Sequence, residues 1–206
     1  VKYLSYTRLI VVAILGIACI IFGAREMIWL AKPAIDLNDP EVAWSELKEG
    51  DHVKMDIYYL FDPVCSTDDD SVTYFAMPRI VSVDDQYSQI ADFIAVDVNN
   101  KDLLSSYNAL SEATIDWWLD DDATEIKAES IPFEGVVRKM TKDPANFMTE
   151  YVKDLGYDQA FIDNSACELG LFPAEKGAGS IIMVVIGAVV FLFGAGLIVV
   201  KLVTKK

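Results

Sequence analysis

Ile181 to Val200 is an unbroken run of twenty uncharged residues, almost all Ile, Val, Phe, Leu, Gly and Ala, apolar on every side. As a helix it rises about 30 Å, the thickness of a bilayer's hydrocarbon, so it predicts a membrane span. A second apolar run, Leu9 to Leu30, lies near the other end. Arg25 and Glu26 interrupt it where they can reach headgroups, beside Trp29, a ring suited to the interface. The rival reading of this run is a cleaved signal peptide, which needs small residues just before the cut. Phe22-Gly23-Ala24 offers a bulky Phe there, and a lipoprotein-type site at Cys19 has Gly16 where a large apolar residue belongs. Retention as an anchor is expected. Gly16 and Gly23, and likewise Gly187 and Gly194, are seven residues apart, so each span has two glycines on one face. Small residues let helices approach closely in lipid, and packing of the two spans through these faces is the expectation; glycines that are merely common in spans are the alternative.

Between the runs the pattern changes. Asp39-Pro40 opens a brief helix through Trp44 to Leu47. From His52 apolar residues alternate: Val53, Met55, Ile57, Tyr59 and Phe61 on one face, with His52, Lys54, Asp56 and Tyr58 between them, a half-buried strand. Asp62 to Ser71 reads as a loop and Val72 to Val83 as the returning strand of a wide hairpin, with Pro78 marking an edge, bulge or break. Ile90 to Val98 is a third strand. Asn99 or Asn100 then caps a helix whose stripe is Leu103, Tyr107, Leu110, Thr114 and Trp117. Glu125 to Met140 reads as a strand region, and Asp143-Pro144 opens a helix with Phe147, Tyr151, Val152 and Leu155 on one face and Gly156 as a left-handed cap. A short segment through Cys167 and Phe172 leads back to the second span.

The predicted fold class is therefore α+β: two transmembrane helices flanking a small, mostly antiparallel β domain with two helices, for which a partly open barrel of the OB type is one form. Residues 1–31 form the tail and first span, 32–179 the acidic domain, and 180–206 the second span and basic tail. Leu47-Lys48-Glu49-Gly50-Asp51-His52-Val53, running straight into an alternating strand, resembles the opening of many small barrels. With two spans around one acidic domain, the chain resembles uncharacterised two-span membrane proteins of Gram-positive bacteria. That resemblance implies no activity.

Charge sharpens the division. Lys32 to Gly179 carries 11 Lys and Arg against 31 Asp and Glu, a net of −20 in a chain whose total is −15. Lys2 and Arg8 precede the first span, and Lys201, Lys205 and Lys206 follow the second. Basic flanks stay on the cytoplasmic side, so both termini are expected in the cytoplasm and the central domain outside, at the plasma membrane. A domain this acidic, with no basic stripe, is a poor partner for nucleic acid.

Candidate chemistry is sparse. Cys65 and Cys167 would share an oxidising compartment and are disulfide candidates, with free buried thiols as the alternative. Cys19 reads as apolar filler in the first span. His52 is the sole histidine, which excludes multi-His metal sites, and no G-x-S-x-G or S-x-x-K motif marks an activated serine. Asp68-Asp69-Asp70 and Asp120-Asp121-Asp122 lack calcium-loop spacing and read as solvated acidic loops. No catalytic, cofactor or metal residue is assigned. Trp117 and Trp118 adjoin on one helix, where only one can face the core, and the other is an interaction candidate; a partly covered ring at a helix end is the competing reading. The expected function is binding of a protein or cell-envelope ligand, as an accessory subunit of a membrane complex for instance. A cell-envelope enzyme using acidic residues, with or without a divalent metal, is the alternative.

Overall fold

The computed structural model describes residues 5–67, 71–82, 88–120, 125–174 and 178–203. Chain contacts divide the protein into two compact units, Pro33–Ala174 and the pair of terminal segments Val1–Lys32 and Glu175–Lys206.

The terminal unit is two long helices, α1 (Tyr6–Leu30) and α5 (Ala178–Val203). Both are long and apolar enough to cross a membrane by length and composition. Ser5 caps α1, its hydroxyl accepting the Arg8 N–H at 3.3 Å. The helices pack antiparallel: Gly16 meets Gly187 and Phe191, Gly194 meets Leu9 and Ala13, and the Tyr6 hydroxyl donates to the Lys201 carbonyl at 3.4 Å. Their large side chains point outward, with Phe22 65% and Leu192 67% exposed.

The other unit is built on one seven-stranded sheet. Its strands are β1 (Ile35–Asp36), β2 (His52–Ile57), β3 (Pro63–Ser66), β4 (Thr73–Ser82), β5 (Ser88–Val98), β6 (Ile131–Lys139) and β7 (Leu169–Pro173), in the order β1-β2-β6-β7-β5-β4-β3. Pairing is antiparallel except for β1 with β2 and β5 with β7, so the sheet is mixed. The fold is α+β, as the residue pattern indicates. Helix α2 (Lys101–Leu119), capped by the Asn100 side chain, lies on one face, where Tyr107 and Leu110 join Val53, Ile57, Phe75, Ile94 and Val137 in one core. On the other face, Met148 and Val152 of α3 (Lys142–Asp154) and Ile162 of α4 (Gln159–Asp163) cover Ala76, Phe93 and Ala95.

Three expectations are corrected. The strand beginning at His52 does not form a hairpin with β4; it pairs along its whole length with β6, from His52 opposite Val136 to Ile57 opposite Ile131. The hairpin partner of β4 is β3, inside the stretch expected to be loop. Between β2 and β3 the chain leaves the sheet: the Leu60 N–H donates to the Thr114 hydroxyl of α2 at 3.1 Å, and the Phe61 N–H to the Ala76 carbonyl at 2.7 Å. Alternation identifies a buried face but carries no information about which strand lies alongside.

Second, the segment after Cys167 is the strand β7, inserted between β5 and β6. Its Gly170 and Pro173 conceal it in the sequence, although Leu171 is fully buried. Third, the predicted helix stripes hold only in part. Tyr107, Leu110, Thr114 and Val152 are buried as the pattern indicates, but Leu103, Phe147 and Leu155 are exposed, and Leu104 and Met148 pack inward instead. Gly156 does adopt φ +95°, the left-handed conformation of a helix end. Pro78 sits in β4 opposite Phe93, one residue before a register shift. Ala76 bonds Phe61 and Asp62 through its outer edge, so Pro78, two residues on, turns its missing donor to the same side, away from β5.

Candidate functional site

Leu37, Asn38 and Asp39, just after β1, with Met55 and Asp56 of β2, line the same groove as Met77 to Ser82 of β4. These strands belong to opposite ends of the strand order, so the sheet must curl until its two ends face one another. The groove, about 600 Å³, is the seam left between them. Among the described residues no strand pairing closes it. The Arg79 guanidinium reaches across to donate to the Pro40 carbonyl at 2.8 Å, and the 3₁₀ turn Trp44–Glu46 inserts Trp44 beneath it. Trp44 is 3% exposed, and its indole N–H finds no acceptor among the described residues. Tyr58 and Tyr59 form an aromatic wall, and Asp39 and Asp56 contribute exposed carboxylates. Residue pattern offered no reason to group these, because they come from segments that only the curl brings together.

The predicted aromatic pair lies nearby. Trp117 is half-buried, its ring 5.4 Å from Tyr59, while Trp118 stands edge-on to Phe61 at 6.0 Å and remains 40% exposed. Leu119, at the end of α2, is 76% exposed. Trp118 and Leu119 thus leave apolar surface exposed at the end of α2, and Tyr59, which lies against Trp117, also lines the groove. Glu112, Asp116, Asp120 and Glu125 line an acidic hollow beside Trp117.

On the opposite sheet face a polar row crosses the strands. Cys65 pairs with Tyr74 and Tyr74 with Asp97, which follows Val96, the partner of Leu171 in β7. Arg138 stacks on the Phe172 ring at 5.2 Å and acts on Asp97 through its charge. Asp97 is buried, one carboxylate oxygen without a hydrogen bond, and burial pushes its pKa to about 6 against the attraction of Arg138. Asp92 is buried too, but its Oδ1 accepts from the backbone N–H groups of Phe93 and Ala166, each at 2.7 Å, so it ties the α4–β7 turn to β5. Burial nevertheless raises its carboxyl above the ordinary range. Two aspartates inside the apolar run Ala91 to Val98 are a signal that could have been read from the sequence.

The remaining candidates are placed as follows. Cys65 and Cys167 are free thiols, so the disulfide is not formed. Cys65 sits on edge strand β3, three strand spacings from β7, the strand that Cys167 leads into. Burial raises the pKa of both thiols, that of Cys167 to about 11 despite a hydrogen bond from the Ser165 hydroxyl at 2.9 Å. His52 is buried rather than exposed, its Nε2 3.0 Å from a Glu134 carboxylate oxygen. Gly16, Gly187 and Gly194 lie where α1 and α5 touch, and Gly23 is buried as well. Asp68 to Asp70, Asp121 and Asp122 lie outside the described residues, as do Lys2, Lys205 and Lys206. Among the described residues no three His, Cys, Asp or Glu side chains are grouped to hold a metal ion.

No curated protein and no solved structure matches the chain. Residues 2–203, which take in both terminal helices and the whole sheet, match the family described as a domain of unknown function, DUF8577, and the chain belongs to that family.

Proposed function

We propose that this is a membrane-anchored binding protein whose acidic domain lies outside the cytoplasm and engages a protein partner, as an accessory subunit of a membrane complex. On this reading α1 and α5 are the spans, both termini are cytoplasmic, and the curled sheet is an OB-like, partly open barrel. The resemblance to two-span membrane proteins of Gram-positive bacteria belongs to the same reading.

The observation that carries it is the exposure of Trp118 and Leu119 at the end of α2. Large aromatic and aliphatic side chains left in water beside polar residues mark interaction sites. The groove between β2 and β4 is open and lined by mixed apolar and polar side chains.

Capture from native membranes in mild detergent tests the reading. The wild-type protein is expected to retain a defined partner, and Trp118→Ser with Leu119→Ser to lose it while the domain's melting is unchanged. Identical capture by the double variant would move the interface elsewhere. For orientation, a cysteine placed at exposed Lys153 in a Cys-free background is expected to react with a membrane-impermeant maleimide on intact cells. Labelling only after lysis would reverse the topology.

A further inference from the structure

We propose that the acidic flank of α2 docks a basic helical segment of a partner protein, one whose Lys or Arg side chains recur at every fourth residue. The inference rests on the binding role above and names the chemistry of its partner. Glu112, Asp116 and Asp120 are exposed and four residues apart, so they form one row along the C-terminal half of α2. That row opposes the helix that carries it: like charges at i and i+4 repel, and carboxylates near a helix C-terminus meet the negative end of its dipole. The last turn of α2 holds no basic residue, and among the described residues Glu112, Asp116 and Glu125 are in no ion pair. Charges set against a local rule, with no compensation inside the chain, mark a place where function rather than stability chose the residue.

The row is one wall of a groove. The hollow of about 540 Å³ that it lines with Glu125 and Lys127 shares Ala109 and Lys127 with a second hollow of about 440 Å³. Together they follow α2 from Leu103 to Asp120, a rise of about 25 Å. Ser106, Ala109 and Ala113 are the small residues on this side of the helix, and small residues shorten the distance at which a second helix packs. Leu119, 76% exposed, follows Asp116 by three residues and borders the row with apolar surface.

These features select among cations. Successive acids of the row are about 6 Å apart along the axis, whereas one calcium ion draws its oxygens to about 2.3–2.6 Å, and among the described residues no three His, Cys, Asp or Glu are grouped for a metal. Nucleic acid and anionic lipid are repelled by a domain carrying −20. A small polyamine neutralises the row but leaves Leu119 in water and most of the groove empty. A second helix meets every demand: its own i, i+4 spacing repeats the 6 Å interval, its basic side chains face the carboxylates, and an apolar residue one turn beyond covers Leu119.

Calorimetric titration of the full chain in nanodiscs of uncharged lipid tests it with three probes. They are a helical peptide bearing Arg at three successive i, i+4 positions and a Leu one turn beyond, a peptide of the same composition with the Arg scattered around the helix, and spermidine. The ordered peptide is expected to bind, the other two each about tenfold more weakly. Glu112→Gln with Asp116→Asn is expected to weaken the ordered peptide by about tenfold while raising the melting temperature of the free domain, because the same change relieves the repulsion within α2. Glu150→Gln with Asp154→Asn, which removes equal charge from exposed positions on α3, is expected to change affinity little. Equal binding by the scattered peptide or spermidine, equal losses in the two double variants, or no binding by any probe would overturn the proposal. A partner captured from native membranes and retained in full by Glu112→Gln with Asp116→Asn would leave the binding role standing and overturn the basic segment as its ligand.

Discussion

The two units of this protein arrange the same side chains in opposite senses. In the sheet domain Phe75 and Phe93 are fully buried and acids cover the surface; in the helix pair Phe22 and Phe193 are each 65% exposed while glycines occupy the contact. A domain whose solvent is water gains most by withdrawing apolar area from it. Helices with outward Ile, Val and Phe gain nothing that way if their solvent is hydrocarbon, so close backbone approach supplies the attraction instead. Fully buried phenylalanines in one unit and outward phenylalanines in the other fit a water-facing domain beside a pair of helices long and apolar enough to cross a membrane.

The contrast can be broken most strongly with phenylalanine. Phe93 touches Phe61, Tyr157 and Phe161, and Phe93→Ala is expected to destabilise the sheet domain by about 3–5 kcal/mol in chemical denaturation. Phe22→Ala, at a ring facing outward, is expected to leave that transition where it is. Equal effects would mean that both rings serve one core.

Asp97 sharpens the description of the sheet domain. A carboxyl whose pKa rises on folding favours the native state only while protonated, so its contribution is complete below 3.8 and lost as pH climbs through about 6. Asp97→Asn is therefore expected to stabilise the domain at neutral pH by up to about 3 kcal/mol, with the gain vanishing near pH 4. A melting difference independent of pH would place the cost elsewhere.

In the helix pair, a Cβ at Gly16 would sit 2.6 Å from the Phe191 backbone nitrogen, whereas one at Gly196 meets nothing within 4 Å. Gly16→Leu is expected to weaken helix pairing by about 1–3 kcal/mol, read from cysteine cross-linking between α1 and α5, and Gly196→Leu to change it little. The smallest effect belongs to Gly156. Its φ of +95° leaves open space around the Cβ position, so Gly156→Ala is expected to cost about 1 kcal/mol from backbone conformation alone, seen as a small drop in melting temperature.

Much of this was present in local pattern. The long apolar helix from Ile181, the alternation from Val53 to Ile57, the Asn100 cap and the turn at Gly156 each declare themselves in local sequence, because apolar helices, strand faces, caps and left-handed turns are decided by neighbours in the chain. Partner choice among strands was not decided there. Whether β2 lay beside β4 or β6, and whether Leu169 to Pro173 entered the sheet, depended on pairings between residues more than thirty positions apart. The groove follows from those pairings: only once the sheet had curled did Asp39, Trp44, Tyr58 and Arg79 stand around one space. Burial likewise separated Asp92, held by two backbone donors, from Asp97, left with an oxygen unbonded, although both are aspartates in the same strand. Local sequence specifies which face is apolar; the long-range packing of those faces decides which polar groups lose water and what they meet in its place.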